Sequence, residues 1–315
     1  INSGGSTMGV GALSSMFTYG MQILSSLMML SMIFVMITIS NASIQRICEV
    51  LNEESTIENT ENPKTDVPNG SIDFNGVSFK YHAGAEKNAL TDIDLHIKSG
   101  ETIGIIGGTG SSKSSLIQLI SRLYDATEGE VLVGGNNVKD YDIETLRNAV
   151  SVVLQKNVLF SGTIKENLRW GDMNATDEEL VRVCKLAQAD EFINTLPDGY
   201  DTHIEQGGTN VSGGQKQRLC IARALLKKPK IIIFDDSTSA VDTKTDALIR
   251  NALATEIPDT TKIIIAQRIS SVQEADRIVV MEDGRINAVG THEDLLNSND
   301  IYKEVYYSQN KAGEE

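Results

Sequence analysis

The sequence predicts an α/β domain that is built around a parallel sheet and preceded by one transmembrane helix. Three observations lead to this prediction. Residues 1–45 carry no charged side chain. From residue 71 onward, continuous apolar runs alternate with segments of helical periodicity, which is typical of parallel strands connected by helices. A glycine-rich stretch, GGTGSSKSSL, follows one apolar run and leads into a helical segment, as a phosphate-binding loop does.

Composition limits the partners and the metal chemistry of the chain. The 315 residues carry a formal net charge of −15. We therefore expect no nucleic-acid partner, because contact with phosphates requires a basic face. Cys48, Cys184 and Cys220 lack the paired spacing of a zinc site, so we interpret them as reduced thiols.

The first predicted element is a membrane-spanning helix over residues 16–40, MFTYGMQILSSLMMLSMIFVMITIS. About 20 apolar residues in a helix cross the roughly 30 Å of hydrocarbon in a bilayer. A buried helix of a soluble domain is one alternative, but it would carry polar residues on one face. A signal peptide is another, but it would have a basic start and a small-residue cleavage site. The sequence has neither feature, which favours the membrane helix.

A linker is predicted to separate this helix from the main domain. Residues 46–52, RICEVLN, continue the helix beyond the membrane, and the charges that begin at Arg46 indicate a cytoplasmic remainder. Residues 54–71 are rich in Asn, Thr, Glu and Pro, which predicts an exposed segment with a domain boundary near Asn69. Because the chain starts at Ile1 rather than at methionine, we expect a fragment of a longer polypeptide.

The strands of the main domain are predicted in two groups. The stretches SIDFNGVSFKY and LTDIDLHI alternate apolar and polar residues, as half-buried antiparallel strands do. The runs TIGII, VSVVL, IIIF and KIIIA are continuously apolar, as parallel strands covered on both faces are. Helices are expected between them, over SSLIQLISRLY, TDEELVRVCKLAQ and QKQRLCIARALLKK.

The glycine-rich loop matches the pattern G-x-x-x-x-G-K-[ST] at Gly107, Lys113 and Ser114, but Ser112 occupies the place of its second glycine. Backbone N–H groups and the following helix N-terminus hold phosphate in such a loop, while the lysine bridges the β and γ oxygens and the hydroxyl ligates Mg²⁺. Ser112 crowds the loop if its φ is positive and is harmless if φ is negative.

Five further features follow in a fixed order along the chain. They are Gln155 after the VSVVL strand, NVSGGQKQR at 210–218, IIIFDD at 231–236, SAVD at 239–242 and IIIAQR with Gln267. Together with the phosphate loop they resemble the ATP-binding cassette (ABC) family, and within it the exporters that fuse a membrane domain to the ATPase. The resemblance covers the whole chain. It implies a P-loop NTPase with a RecA-like core, an antiparallel β subdomain and an α-helical subdomain.

The resemblance also implies a domain division. Residues 1–52 correspond to the end of the membrane domain, 53–70 to the linker, 71–310 to the nucleotide-binding domain and 311–315 to a tail. Two such domains close head to tail in this family, so that each ATP lies between the phosphate loop of one and the signature motif of the other.

Individual residues take roles from the same resemblance. ATP is expected to contact Tyr81, Gly107, Gly108, Thr109, Gly110, Ser111, Ser112, Lys113, Ser114 and Ser115. Ser114, Gln155 and Asp235 are the expected Mg²⁺ ligands, and Asp236, Gln267 and Gln155 the expected catalytic residues. Ser212, Gly213, Gly214 and Gln215 of the signature, with Asp242, are expected to serve the partner's ATP. An ordinary strand aromatic is the alternative for Tyr81.

Two of these positions depart from the family pattern, which has glutamate at 236 and histidine at 267. The carboxylate of Asp236 is withdrawn by roughly 1 Å, and a misplacement of that size costs about 100-fold in rate. Gln267 cannot become cationic or relay a proton. We therefore expect binding with slow turnover, and a heterodimer whose partner supplies the competent site. A homodimer with impaired sites and a soluble ABC protein of DNA repair or translation are the alternatives.

The remaining expectations concern the surroundings of the protein. The resemblance implies an inner or plasma membrane location with the ATPase in the cytoplasm, as part of a multidrug-type exporter in contact with membrane lipid. Lipophilic drugs or lipids are the expected cargo only because they are common among such exporters. The transported substrate itself is beyond the sequence, because substrate contacts in such exporters lie in membrane helices.

Overall fold

The structure is a computed structural model that describes residues 9–82, 84–236 and 241–311. It divides the chain into two units, Ile1–Thr56 and Ile57–Glu315. In the first unit, a single helix, α1, spans Val10–Leu51 over 42 residues and buries none of them within the unit. Its exposed side chains include Met32 and Phe34, each 71% exposed.

Helix α1 is long and apolar enough to cross a membrane, by its length and composition. Apolar side chains surround its axis, and an all-round apolar helix needs an apolar environment outside itself. Some of its hydroxyl groups bond within the helix, since Thr18 and Thr38 donate to the carbonyls of Ser14 and Phe34 four residues earlier. These features support the predicted membrane helix, which begins six residues earlier here than the apolar pattern indicated.

The second unit is organised around a six-stranded sheet with the strand order β12-β11-β3-β10-β9-β6. Its five parallel strands contain the four apolar runs predicted to be parallel, and β12 closes one edge in the antiparallel sense. The strands are β3 (Thr102–Gly107), β6 (Val150–Val153), β9 (Ile231–Asp235), β10 (Thr261–Ile265), β11 (Arg277–Glu282) and β12 (Arg285–Gly290).

A second sheet is antiparallel, as the alternating pattern predicted, and has the order β2-β1-β4-β5. Its inward side chains, such as Phe74 and Leu95, share one buried cluster with the β3 and α2 residues Ile105 and Leu116. A third, two-stranded sheet pairs β7 with β8. These strands are β1 (Ile72–Phe79), β2 (Leu90–Ile97), β4 (Glu128–Val133), β5 (Asn136–Asn137), β7 (Gly162–Thr163) and β8 (His203–Ile204).

Helices connect the strands and cover the larger sheet. A helical segment, α4 to α7, packs its apolar faces together through residues such as Leu168, Leu180 and Leu219. The helices are α2 (Lys113–Ile120), α3 (Ile143–Ala149), α4 (Ile164–Arg169), α5 (Asp177–Leu186), α6 (Asp190–Asn194), α7 (Gly213–Leu226), α8 (Thr243–Glu256), α9 (His292–Ser298) and α10 (Asp300–Lys311). The parallel core, antiparallel sheet and helical segment are those expected for a P-loop ATPase.

Helix α2 is shorter than its pattern predicted, because it ends at Ile120 rather than Tyr124. The amides of Arg122 and Leu123 donate to the carbonyls of Leu119 and Gln118, and Arg122 has a left-handed φ of 49°. This arrangement is a Schellman C-cap. The buried Arg122 guanidinium also bonds Asp125 and the Glu58 carbonyl, so tertiary contacts end the helix.

The predicted linker is partly attached to the second unit. The Asn59 side chain donates to the Asp142 carboxylate and accepts from the Ile143 amide, and Lys64 forms an isolated bridge with Tyr141. The unit therefore begins at Ile57, ahead of the predicted boundary near Asn69. Polar composition predicted the exposure of this segment but did not reveal these side-chain contacts.

Candidate functional site

The expected site residues come together at the carboxyl edge of the large sheet. The phosphate loop follows β3, and Asp236, Gln155 and Gln267 follow β9, β6 and β10. Because these four strands are neighbours and parallel, their C-terminal ends meet at one edge, where open α/β sheets bind ligands.

The phosphate loop is stabilised by its own lysine. The Lys113 ammonium donates to the carbonyl oxygens of Gly107 and Gly108 over 2.8 Å each, and to Ser111 Oγ over 3.1 Å. Gly110 has a φ of +86°, and no atom lies within 4 Å of the place a Cβ would occupy on Gly108 or Gly110. Glycine therefore leaves open space beside the loop backbone, as the approach of a phosphate group requires.

Ser112 adopts the strained conformation that the sequence left open. It has φ 67° and ψ 26°, precedes α2, and makes no side-chain capping hydrogen bond. A side chain in the left-handed region costs roughly 1 kcal/mol or more. Of the two interpretations of this serine, the one based on a positive φ applies.

Two of the three expected metal ligands are in contact. Ser114 Oγ lies 3.2 Å from Asp235 Oδ2 and 3.5 Å from Oδ1. Burial and the charge of Asp236 raise the pKa of Asp235, although Ser114 and Lys113 oppose them. Burial lowers the pKa of Lys113, and the charges of Asp235 and Asp236 act against that shift. The pair offers hydroxyl and carboxylate oxygens, the donors that Mg²⁺ prefers.

The three residues expected to be catalytic share one oxygen atom. Asp236 Oδ2 accepts a hydrogen bond from Gln155 Nε2 over 2.8 Å and from Gln267 Nε2 over 2.9 Å. Asp236 also has a left-handed φ of 47°, and its amide donates to the Ile265 carbonyl. Thus Gln155 contacts Asp236, and its amide group points to the position of the base rather than to Asp235.

Tyr81 lies beside the phosphate-loop helix. Its hydroxyl is 2.7 Å from Ser115 Oγ and donates to Gln118 Oε1 over 3.2 Å, while its ring meets those of Phe79 and Tyr124 edge-on. The side chain remains 44% exposed, so part of the ring is accessible to a base. Sequence reasoning missed Tyr124 and Gln118, which the turn after α2 and the face of α2 bring to this position.

The signature motif begins α7. Ser212 caps the helix by accepting from the Gln215 amide, and the Gln215 side chain accepts from the Ser212 amide, which forms a capping box. Gly213 and Gly214 occupy the first turn. Among the described residues, no hydrogen bond joins this motif to the phosphate loop of the same chain. The helix N-terminus presents partial positive charge to solvent, as an anion site does.

Asp242 caps α8 in the same manner, with its side chain accepting from the Thr245 amide over 2.9 Å. Hydrogen bonds from that amide and side chain lower the pKa of Asp242. Of the SAVD motif, Ser239 and Ala240 lie outside the described residues.

The fold and site place the second unit in the class of P-loop ATPases. Residues 90–239 match the sequence model of the family described as ABC transporter. The second unit therefore contains an ABC transporter ATPase domain, which implies ATP binding, with homology to exporter ATP-binding/permease proteins.

Several known proteins are similar over most of this chain. An uncharacterized ABC transporter ATP-binding protein of Bacillus subtilis, YfiB, is 43% identical over 305 residues, covering 97% of this chain and 52% of its own length. A Staphylococcus aureus protein named "Putative multidrug export ATP-binding/permease protein" is 43% identical over 263 residues, covering 83% of this chain and 45% of its own.

A solved structure shows the same architecture. The structure of a bacterial Atm1-family ABC exporter with ATP bound aligns with a TM-score of 0.80 and 33% identity, over 96% of this chain and 52% of that one. The chain thus spans about half the length of the relatives it matches.

Proposed function

We propose that this chain is the ATPase half of an ABC exporter subunit that binds Mg-ATP but cleaves it slowly at its own site. The observation that carries the proposal is the bonding of Asp236, whose Oδ2 already accepts from two amide groups. A general base must accept a proton from water at hydrogen-bond distance. Here that oxygen is occupied by Gln155 and Gln267.

The phosphate-binding part of the site supports tight nucleotide binding. Lys113 and the N–H groups of the loop and of α2 are placed to hold the phosphates, and Tyr81 offers a ring to the adenine. Mg²⁺ fits the donor set of Ser114 and Asp235, and when bound it would neutralise phosphate charge. Ionised Asp235 is the form that binds the metal, so the proton that its raised pKa favours competes with Mg²⁺.

The intact signature supports a role in a second ATP site. Ser212 and the glycine amides lie at the start of a 14-residue helix. Among the described residues, they form no hydrogen bond with the phosphate loop of the same chain. The subunit lacks the family's glutamate at 236 and histidine at 267 but keeps this motif. A heterodimer explains this combination best: the signature acts on the partner's ATP, while the subunit's own ATP holds the dimer closed.

Export is supported by helix α1 and by the relatives. α1 is a candidate membrane span, which disfavours a soluble ABC protein, and the names of relatives include multidrug export and permease. We infer that the subunit lies in the plasma or inner membrane, in contact with lipid, with its ATPase domain in the cytoplasm and a lipophilic molecule as cargo.

Restoring the family residues tests the slow-site proposal. In the assembled transporter, Asp236→Glu with Gln267→His should raise ATP turnover at this site by about 10- to 100-fold, since it corrects a carboxylate displacement of roughly 1 Å. Steady-state phosphate release and bound ATP would both be measured. Unchanged turnover with ATP still bound would show that these side chains do not limit the reaction.

A matched control makes the same chemical changes elsewhere. Asp259 and Gln273 are exposed residues that do not line the cavity beside Asp236 and Gln267, so Asp259→Glu with Gln273→His should leave turnover unchanged.

A further inference from the structure

Gln309, in the last turn of α10, forms hydrogen bonds with the backbone at Gln267 and Ile269. Gln309 Nε2 donates to the Gln267 carbonyl over 2.7 Å, and Gln309 Oε1 accepts from the Ile269 amide over 2.9 Å. Both ends of one side-chain amide are thus used, on either side of Arg268. Only asparagine and glutamine combine a donor and an acceptor in this way, and asparagine is one methylene shorter.

Helix α10 is fastened to the core on the same face that carries Gln309. Tyr302 is fully buried, and its hydroxyl lies 2.8 Å from His292 Nδ1 on α9. Val305 and Tyr306 pack against the same core cluster. Positions 302, 305, 306 and 309 follow the i, i+3, i+4, i+7 spacing of one helix face. Gln309 is therefore held in place by side chains of α10 that pack against the core one and two turns away.

The backbone that Gln309 contacts carries the Gln267 side chain, which bonds the proposed base, Asp236. Gln267 donates from its own side chain to Asp236 Oδ2 over 2.9 Å. Asp236, Gln267 and Gln309 all line a cavity of about 320 Å³ at this end of the sheet. A shift of the 267 backbone would move the side chain that contacts position 236.

We infer that Gln309 is a positioning residue for the ATP site, acting through the backbone at 267–269. This inference rests on the proposed function, since it assigns Gln309 a part in the turnover of that site. Because Gln309 bonds the backbone, it should position the side chain at 267 whether that residue is glutamine or histidine.

A purely local role is the competing explanation. Ile269 begins a short 3₁₀ helix, Ile269–Ser271, whose preceding residue Arg268 provides no side-chain cap. On this explanation, Gln309 only satisfies a backbone N–H group that the short helix leaves without a partner. In that case its loss would affect stability but not depend on the side chain at 267.

Coupling between the two positions separates these explanations. In the assembled transporter with Asp236→Glu and Gln267→His, Gln309→Ala should lower turnover about 5- to 10-fold, the effect of losing hydrogen bonds that set a side chain's position. The Kd for ATP should be unchanged. With Asp236→Glu and Gln267→Ala, the same Gln309→Ala change should have no effect. Equal losses in both backgrounds, or no loss in either, would overturn the positioning role.

Amide hydrogen exchange tests the hydrogen bond between the Ile269 N–H and Gln309 in the native transporter. Gln309→Ala should speed exchange of the Ile269 N–H, and Gln309→Glu, which keeps the acceptor, should retain much of its protection. Ser308→Ala, on an exposed neighbouring residue, should change neither exchange nor turnover. Unchanged exchange of the Ile269 N–H in Gln309→Ala would show that Gln309 does not hold this backbone.

The two proposals fail in different ways. If the Glu and His replacements do not raise turnover, the slow-site proposal fails. The role of Gln309 is then tested in two other ways. One is the exchange of the Ile269 N–H. The other is the effect of Gln309→Ala on the residual turnover of the native and Gln267→Ala transporters, where an equal fold loss in both would overturn the positioning role.

Discussion

Gln267 donates a side-chain hydrogen bond to Oδ2 of Asp236 over 2.9 Å, across the ends of two adjacent parallel strands. Gln155, from the strand on the other side of β9, donates to the same oxygen. A histidine at 267 could give up or accept a proton there, whereas an amide can only donate an N–H to a carboxylate. The pair therefore stabilises a carboxylate in place without providing for proton transfer.

Replacing Ser112 by glycine should strengthen nucleotide binding. Glycine adopts φ 67° without the steric cost that serine bears and places no Cβ beside an approaching phosphate. Relief of about 1 kcal/mol of crowding in the bound state corresponds to roughly 5-fold in affinity. Calorimetric titration of Mg-ATP into the native protein and Ser112→Gly would measure the change. An affinity that falls or stays level would count against strain as a limit on binding.

Asp283 offers a matched control for that change. It is exposed in the turn between β11 and β12 and has a left-handed φ of 47°. Asp283→Gly relieves similar backbone strain outside the phosphate loop, so it should alter thermal stability without altering the affinity for ATP.

Replacing Ser212 by alanine should impair hydrolysis at the partner's site. The change removes the hydroxyl that begins α7, and losing one preorganised contact to transition-state charge costs about 10²- to 10³-fold in rate. Single-turnover cleavage of labelled ATP in the heterodimer would show this loss at the competent site. Unaltered cleavage would contradict the cross-dimer role of the signature.

Thr176 controls for the loss of a helix cap. It caps α5 with the same reciprocal capping box that Ser212 and Gln215 form. Thr176→Ala should therefore cost a similar stability, about 1 kcal/mol, and leave ATP cleavage intact.

Acid should weaken the domain through the Glu101–Arg277 pair. Burial by itself raises the pKa of Glu101, but the hydrogen bonds from Arg277 and the Lys98 amide and the Arg277 charge bring it below its ordinary value of 4.5. A lowered carboxyl pKa gives stability that is present above the unfolded value and lost as pH falls through the folded value. Stability should thus decline below about pH 4.5.

Glu101→Gln should remove this contribution. It should lower the free energy of unfolding at pH 7 by about 1–2 kcal/mol and flatten its decline in acid, as followed by urea unfolding at several pH values. Glu256→Gln, on an exposed residue at the end of α8, should leave the pH profile close to native. An acid decline that is equally steep in Glu101→Gln would exclude the pair as its source.

The sequence predicted six of the strands and the position of the phosphate loop because both depend on local pattern. Continuous apolar runs mark β3, β6, β9 and β10, and the lysine and serine at 113 and 114 mark the phosphate loop. What it missed depends on contacts between distant residues. Gln155 and Asp236 are 81 positions apart, and Gln309 and Gln267 are 42 apart, so no short-range pattern could reveal that they bond.

The end of α2 illustrates the same limit. Helical periodicity continues through Tyr124, yet Arg122 has a left-handed φ, and its guanidinium bonds Asp125 and the Glu58 carbonyl. The conformation of Ser112 was also open, since a serine in a glycine position is compatible with either sign of φ until the backbone is known.

We propose above all that this subunit holds Mg-ATP and cleaves it slowly at its own site. The most direct measurement is phosphate release, per site and at saturating Mg-ATP, from a purified transporter assembled only from identical copies of this subunit. We expect bound ATP with release at least about 10-fold slower than from the restored Asp236→Glu, Gln267→His assembly. Release from the native assembly as fast as from the restored one would contradict the claim.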